Sequence, residues 1–371
     1  MGDVYCLRHP SFRIPEYICS LIRVDTLTHA LSGALAARAL APSAPRPGEV
    51  APRDRMIYGF VAATCPDCDI LLRLFGPLVY VDLHRGVTHS IILLPLWALL
   101  LAWLLSRFSR GRYSWRAIYG TAALGIGIHI AGDVITAYGT MILAPFSNYR
   151  IAFPFTFIID PYFTAIIVLG LAAALFKRQK RYPAVIAMLV LASYVGFQAV
   201  LHGRAVEVGE AYAAKHAARG GAVYAIPQPL SPFNWKIIVS HGEDYDVASI
   251  NLWQKGKEDE KRFDTKPGIM GMGSRIAAGY RPASAARWDH YSRFGQTQAE
   301  SALAREAWGQ EIFFRFREFA QFPFLNYIET FGSDICVRFA DLRFTVPSLS
   351  PSLGFGVCRN TGTGAWRLEQ D

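Results

Sequence analysis

Residues 90–105 read SIILLPLWALLLAWLL, sixteen positions without a charge. Two more uncharged runs, Pro161 to Phe176 and Pro183 to Leu201, lie on either side of the basic string KRQKR at 177–181. Apolar runs approaching ~20 residues read as transmembrane helices. Three further segments, 25–40, 56–75 and 117–141, are apolar but broken by polar residues. The pattern predicts a polytopic α-helical membrane domain of about six helices over residues 24–203. The whole chain of 371 residues is 52% hydrophobic and 18% charged. Ordinary soluble domains carry about 25% charged residues, so a disordered chain, a coiled coil or a highly charged nucleic-acid binder fits poorly.

The basic residues set an orientation. Residues 1–203 hold 18 Lys and Arg against 10 Asp and Glu, while 204–371 hold 20 against 19. Twelve of those 18 fall in three alternate loops: Arg38, Arg46, Arg53 and Arg55; Arg107, Arg110, Arg112 and Arg116; Lys177, Arg178, Lys180 and Arg181. The positive-inside rule makes these loops cytoplasmic. They also argue against the alternative of a soluble all-helical core. The opposite helix ends and everything after residue 203 then face the periplasm of a bacterial inner membrane.

Residues 1–23 fit this scheme badly, with Arg8, Arg13, Arg23 and no long apolar core. They are not a convincing signal peptide. A valine such as Val24 can be encoded by an alternative bacterial start codon, so 1–23 reads as a doubtful N-terminal extension. From about 204 the balance turns soluble. Residues 204–218 look like a short helix. IIVSH at 237–241 and VASINLW at 247–253 look like strands, and 297–320 looks helical. Alternation at Ile335, Val337 and Phe339, then at Leu342, Phe344 and Val346, predicts two strands or one bulged strand. Residues 204–371 therefore read as an extracytoplasmic α+β or β-rich soluble domain of unassigned role. Cys336 and Cys358 either pair in an oxidising compartment or stay free.

Ionisable side chains in apolar helices cost about 2.5 to 3.5 kcal/mol near a helix centre, so those present need a reason. Asp25 and His29 lie four apart on one face of the first helix. Cys65-Pro66-Asp67-Cys68-Asp69 ends the second, where Pro66 frees backbone and two carboxylates can reach one cation. His84-Arg85-Gly86-Val87-Thr88-His89-Ser90 precedes the third, with two imidazoles and hydroxyls able to orient them. His129 and Asp133 stand one turn apart in the fourth, among Gly125, Gly127 and Gly132. Asp160, before Pro161, is a weaker member, either outer support or a helix cap. Each motif alone has a plain structural reading: a cap, a turn, an interfacial basic segment or a buried ion pair. Under the six-helix topology they all fall at the outward ends, although the orientation came from Arg and Lys alone.

That convergence points to divalent metal, most readily Zn²⁺, with Mn²⁺ or Mg²⁺ if carboxylates dominate. The expected ligands are His29, Asp69, His84, His89, His129 and Asp133. Asp67 and Arg85 are the expected catalytic groups, Arg85 as a clamp on phosphoryl oxygens. The reaction class is metal-dependent hydrolysis of a phosphoester, such as a phospholipid or envelope phosphodiester, with metal-activated water as nucleophile.

The strings DTLTHALSGALAARAL at 25–40, PDCD at 66–69, HRGVTHS at 84–90 and HIAGDVITAYGTMILAPF at 129–146 resemble the YdjM-like family of bacterial inner-membrane proteins. Members of that family are classed by inference as metal-dependent hydrolases, and some are called LexA-binding. The resemblance covers roughly residues 25–160 and implies a LexA-type partner that only short cytoplasmic loops could meet. The order His, Asp, His, then HxxxD is also similar to zinc-dependent phospholipase C and P1-type nucleases. That likeness implies His29, Asp69, His84, His129 and Asp133 as ligands. A further His and a second HxxxD of those enzymes have no counterpart here. Two competing readings stand beside the hydrolase: a non-enzymatic membrane protein with a structural metal and a partner-binding outer domain, and a metal or proton transporter. Direct nucleic-acid binding is not expected, because the basic residues form no stripe.

Overall fold

The computed structural model describes residues 16–42, 45–177, 180–216, 221–255 and 269–369. Residues 1–15 of the expected extension, and Arg178, lie outside the described residues. The chain divides after Ala199 into two compact units.

The first unit is helical. Its elements are α1 (Glu16–Ala39), α2 (Pro52–Thr64), α3 (Pro77–Leu83), α4 (Leu94–Phe108), α5 (Trp115–Val134), α6 (Pro161–Phe176) and the start of α7 (Tyr182–Lys215). Proline opens α2, α3 and α6, where its missing N–H would have had no partner. Ser114 caps α5 by accepting from the Ala117 amide. Pro66 stops α2, and the chain continues as a 3-10 stretch, Cys65–Phe75. A second 3-10 turn covers Val87–His89.

The expectation of about six membrane helices is not supported. Among the described residues, two helices are long and apolar enough to cross a membrane: α5, with mean hydropathy 1.3, and α7, with 2.1. A third span exists only if Pro77–His89 and α4, bent by 81°, count as one. The apolar segments are present, but their helices are too short. α4 and α6 have 15 and 16 residues. At ~1.5 Å per residue these are well short of a hydrocarbon core of ~30 Å. α2 has 13.

Two helical layers hold the unit together. Tyr58 and Ala62 of α2, Ala98 and Leu101 of α4, and Ile118, Ala122 and Ile126 of α5 form one buried cluster. Ala34 and Leu35 of α1, Ile167 and Leu171 of α6, and Ala187 and Leu191 of α7 form the other. The layers meet at a crossing of α1 and α2 that only glycine permits. A Cβ on Gly33 would lie 2.4 Å from the Gly59 carbonyl oxygen, and one on Gly59 would lie 2.5 Å from that of Gly33. Leu96, Leu99, Leu100 and Trp103 of α4 and Leu169 of α6 stay exposed, as lipid-facing side chains do.

The second unit begins within α7 and is rich in sheet. β1 (Ala222–Pro227), β2 (Asn234–His241) and β3 (Asp244–Asn251) form an antiparallel meander, to which β4 (Arg281–Pro282) and β5 (Trp288–Ser292) add beside β3. After α8 (Ile269–Ala278), α9 (Gln298–Trp308) and α10 (Phe314–Phe319), a second antiparallel sheet follows. Its strands are β6 (Pro323–Phe331), β7 (Asp334–Asp341), β8 (Gly354–Asn360) and β9 (Trp366–Leu368). The 204–218 segment continues α7 to Lys215, and its Ala205 packs on Trp235, Ile237 and Val239.

The strand expected at 342–346 is instead a 3-10 turn, Leu342–Phe344. The Asp341 carboxylate accepts from the Arg343 amide at 2.9 Å and from its guanidinium at 2.8 Å, which folds the chain back on itself. Cys336 and Cys358 face each other across β7 and β8 and are joined by a disulfide. Lys236 is buried, and its ammonium donates to the carbonyls of Leu342 and Thr345 and to the Thr345 hydroxyl. Burial pushes this ammonium down to about 7, against the pull of Asp341.

Candidate metal centre

Four separate pieces of backbone bring His and Asp side chains into one place. α1 supplies Asp25 and His29, one turn apart, with Nε2 3.4 Å from Oδ1. α5 supplies His129 and Asp133, again one turn apart, at 3.3 Å. The 3-10 stretch after Pro66 supplies Asp67 and Asp69. At about three residues per turn, the two carboxylates meet different imidazoles first, yet stay close enough to share a triad with His84. Asp67 turns toward His89 and His129, at 3.7 and 3.4 Å. Asp69 turns toward His84, at 2.9 Å. The link from α3 to α4 supplies His84, Arg85 and His89.

Arg85 holds this link in an uncommon shape. Its φ is 61°, a left-handed conformation that costs a non-glycine residue free energy and recurs at functional sites. The turn sends its amide to Asp69 Oδ2 at 3.1 Å and its carbonyl to the Met141 amide at 2.9 Å. The buried guanidinium reaches Asp133 Oδ1 at 2.9 Å, Thr136 Oγ1 at 2.8 Å and Asp25 Oδ2 at 3.4 Å. Arg85 thus ties the carboxylates of Asp25 and Asp133 together.

Hydrogen bonds assign the imidazole tautomers. His129 Nδ1 lies 2.6 Å from the Ala63 carbonyl, so it carries the proton and leaves Nε2 with a lone pair. The Thr88 hydroxyl gives its single proton to Asp69 Oδ2 at 3.2 Å. It must then accept from His89 Nδ1, 2.9 Å away, which leaves His89 Nε2 with a lone pair too. These two lone pairs face each other at 3.0 Å. Asp133 Oδ2 lies 3.1 Å from His89 Nε2. With both rings neutral, these acceptors suit a shared cation. A tetrahedral ion with ligands at ~2.1 Å would space them ~3.4 Å apart, close to the separations found. Asp133 is buried with Oδ1 between the Arg85 guanidinium at 2.9 Å and His29 Nε2 at 3.1 Å, which leaves Oδ2 toward His89 and His129.

Among the described residues, three overlapping triads have ligand atoms close enough for a shared ion: His29, His129 and Asp133; Asp67, His89 and His129; Asp67, Asp69 and His84. All six expected ligands lie in them. Asp67, expected as a catalytic group, sits with the ligands in two of the three. The carboxylate of Asp25 is outside them, one-fifth exposed, and lines a cavity of about 330 Å³ with His29, Thr136 and Asp160. Asp160 is the cap of α6, accepting from the amides of Tyr162 and Phe163 and from the Tyr194 hydroxyl. Among the described residues neither Cys65 nor Cys68 joins a triad.

Several supporting residues escape a sequence reading. Thr26 donates to Asp67 Oδ2 at 2.6 Å. Tyr80 stacks on His84, and Tyr138 meets it edge-on. Arg150 donates to the carbonyls of Val81, Asp82, His84 and Gly139, tying the end of α3 to the loop after α5. Arg150, the one basic residue in a long apolar loop, was the available signal. The threonines and tyrosines gave none.

No solved structure matches this chain, so the likeness to phospholipase C and P1-type nucleases rests on motif order alone. A protein of Bacillus subtilis (strain 168) described as "Uncharacterized protein YfhP" is 30% identical over 107 residues, 29% of this chain. The match spans about a third of that relative, 32% of its length. Residues 24–205 match the family described as YdjM inner membrane protein. Those residues hold the candidate span α5, most of α7 and every member of the three triads, and over them the chain is similar to the YdjM inner membrane protein family.

Proposed function

We propose that this protein is a membrane-bound, metal-dependent hydrolase of a phosphoester, with its site and second unit facing the periplasm. The observation that carries the reading is the convergence of His89, His129, Asp67 and Asp133 from three chain segments, each imidazole Nε2 lying 3.0–3.7 Å from the other and from a carboxylate oxygen of both aspartates. Their nitrogen and oxygen donors fit Zn²⁺, and the carboxylate share leaves Mn²⁺ or Mg²⁺ open. When bound, such an ion supplies Lewis acidity toward a phosphoryl oxygen and makes water acidic enough to ionise near neutral pH.

The protein's own groups then have distinct tasks. His89, His129, Asp67 and Asp133 hold the ion. His29 flanks Asp133 on one side, and Asp69 with His84 extends the donor set on the other. Arg85 neutralises and fixes Asp133, so that Oδ2 stays toward the imidazoles; this replaces the expected phosphate clamp. Asp25 faces the smaller cavity from outside the triads, and this suits a proton acceptor for water. The Cys336–Cys358 disulfide in the second unit suits an oxidising compartment and supports the outward placement.

The test pairs metal content with turnover. Wild type should retain divalent metal through purification and cleave bis(4-nitrophenyl) phosphate. His129→Ala and Asp67→Ala should lose both. Equal metal content in all three proteins would refute the centre. Full metal with no phosphoester cleavage would favour the structural-metal reading.

A further inference from the structure

We propose that the substrate carries an aliphatic chain, held in an apolar cavity beside Asp69 that a membrane lipid can enter from the bilayer. The proposal rests on the phosphoester reading above and narrows its substrate class. The cavity has a volume of about 530 Å³, within the usual range of ~300–1,000 Å³ for small-molecule sites. Leu71, Leu72 and Phe75 of the 3-10 stretch line it together with Leu83, Val87 and Met141.

Three observations select a hydrocarbon chain. First, the lining contains no Lys, Arg or His side chain, so an anionic head group gains nothing inside it. Second, its one carboxylate, Asp69, already accepts from the Arg85 amide and Thr88 and pairs with His84. Asp69 also belongs to a metal triad, so the cavity touches the reacting end. Third, Phe75 is 75% exposed and Leu71 61%. Neighbouring Leu74 and Ile70 are exposed as well. In water such a patch would be a liability, but in a membrane protein it is a rim over which a lipid tail passes without crossing water. A phosphoester seated at the triads would thus leave its chain between Leu72 and Met141.

The closing experiment measures binding, so that it does not depend on turnover. Metal-loaded full-length protein in amphipol is titrated with non-hydrolysable alkylphosphonates from methyl to octyl. Each buried CH₂ contributes up to about 0.8 kcal/mol, roughly fourfold in affinity. Affinity should therefore climb by at least tenfold from butyl to octyl. Leu72→Trp, which fills the cavity, should cut octylphosphonate affinity at least tenfold while methylphosphonate affinity stays within twofold. Leu83→Trp, at another lining position, should act the same way and guards against one variant misfolding. Flat affinity along the series, or a steep series untouched by both tryptophans, would overturn the chain site. A steep, tryptophan-sensitive series in a protein that cleaves no phosphoester would instead keep the chain site and refute the hydrolase reading.

Discussion

Gly132→Ala separates a local helix effect from an effect on the metal centre, because the two have opposite signs. Gly132 lies within α5, one residue before Asp133. In an isolated helix the change would add about 1 kcal/mol of stability through propensity. Here a Cβ would stand 2.8 Å from His29 Cε1 and 2.9 Å from Nδ1. Ordinary contact needs at least ~3.5 Å, so the ring must retreat by roughly 0.7 Å. It cannot retreat freely, since it stacks on His129 with centroids 4.1 Å apart. The shift lengthens the 3.1 Å approach of Nε2 to Asp133 Oδ1. Functional groups tolerate only about 0.5 Å of misplacement, and disturbing a ligand's supporting partner usually costs 10–100-fold in metal affinity. The expected result is an apo-protein melting at or above wild type, with metal affinity by chelator competition down by about 10–100-fold. Unchanged affinity beside a raised melting temperature would refute the role given to His29.

Other outcomes follow from the same geometry. Asp133→Asn leaves the buried Arg85 guanidinium only the longer 3.4 Å pair with Asp25, and removing one partner of a buried pair costs up to about 3–5 kcal/mol. Apo-protein stability should fall by that order in denaturant melts, and Arg85→Met in the same background should recover part of it. The Lys236 ammonium binds its proton less tightly folded than unfolded, with about 7 against an ordinary 10.5. The unfolded chain then carries the extra proton between those values, so stability of the second unit should rise as pH rises from about 7 toward 10. The full effect is at most roughly 5 kcal/mol, and Lys236→Met should flatten the slope in thermal melts of the full chain. The Cys336–Cys358 bond closes a loop with sequence separation 22, for which chain entropy predicts about 3 kcal/mol. Cys336→Ser should lower second-unit stability by up to that amount, and reductant should have the same effect on wild type but none on the variant.

The local patterns were legible in the sequence, because they depend on neighbours along the chain. The i, i+4 spacing of His29 with Asp25 and of Asp133 with His129 fixes shared helix faces before any packing is known. Uncharged runs marked where helices lie, and Pro66 marked a break. The sheet-rich character of the second unit showed in the alternation at 237–253. The number of spans was not legible. Hydropathy counts apolar residues without seeing that α2 ends at Thr64 or that the chain bends by 81° before α4.

The choice of ligands belongs to the tertiary structure alone. Asp67 and Asp69 are chemically identical, and only the twist of the 3-10 stretch sends one to His89 and the other to His84. Arg85 suggested a substrate clamp by type, yet its backbone conformation buries it against Asp133. The sequence determined that His and Asp would occupy apolar helices, since each residue carries its own desolvation cost wherever it is placed. Which ring atoms face each other was decided by the close packing of α2 on α5, where a Cβ on Gly125 would lie 2.8 Å from the Gly59 carbonyl oxygen, and by the turn at Arg85. Distances of ~3 Å between segments far apart in sequence depend on packing that no single segment encodes.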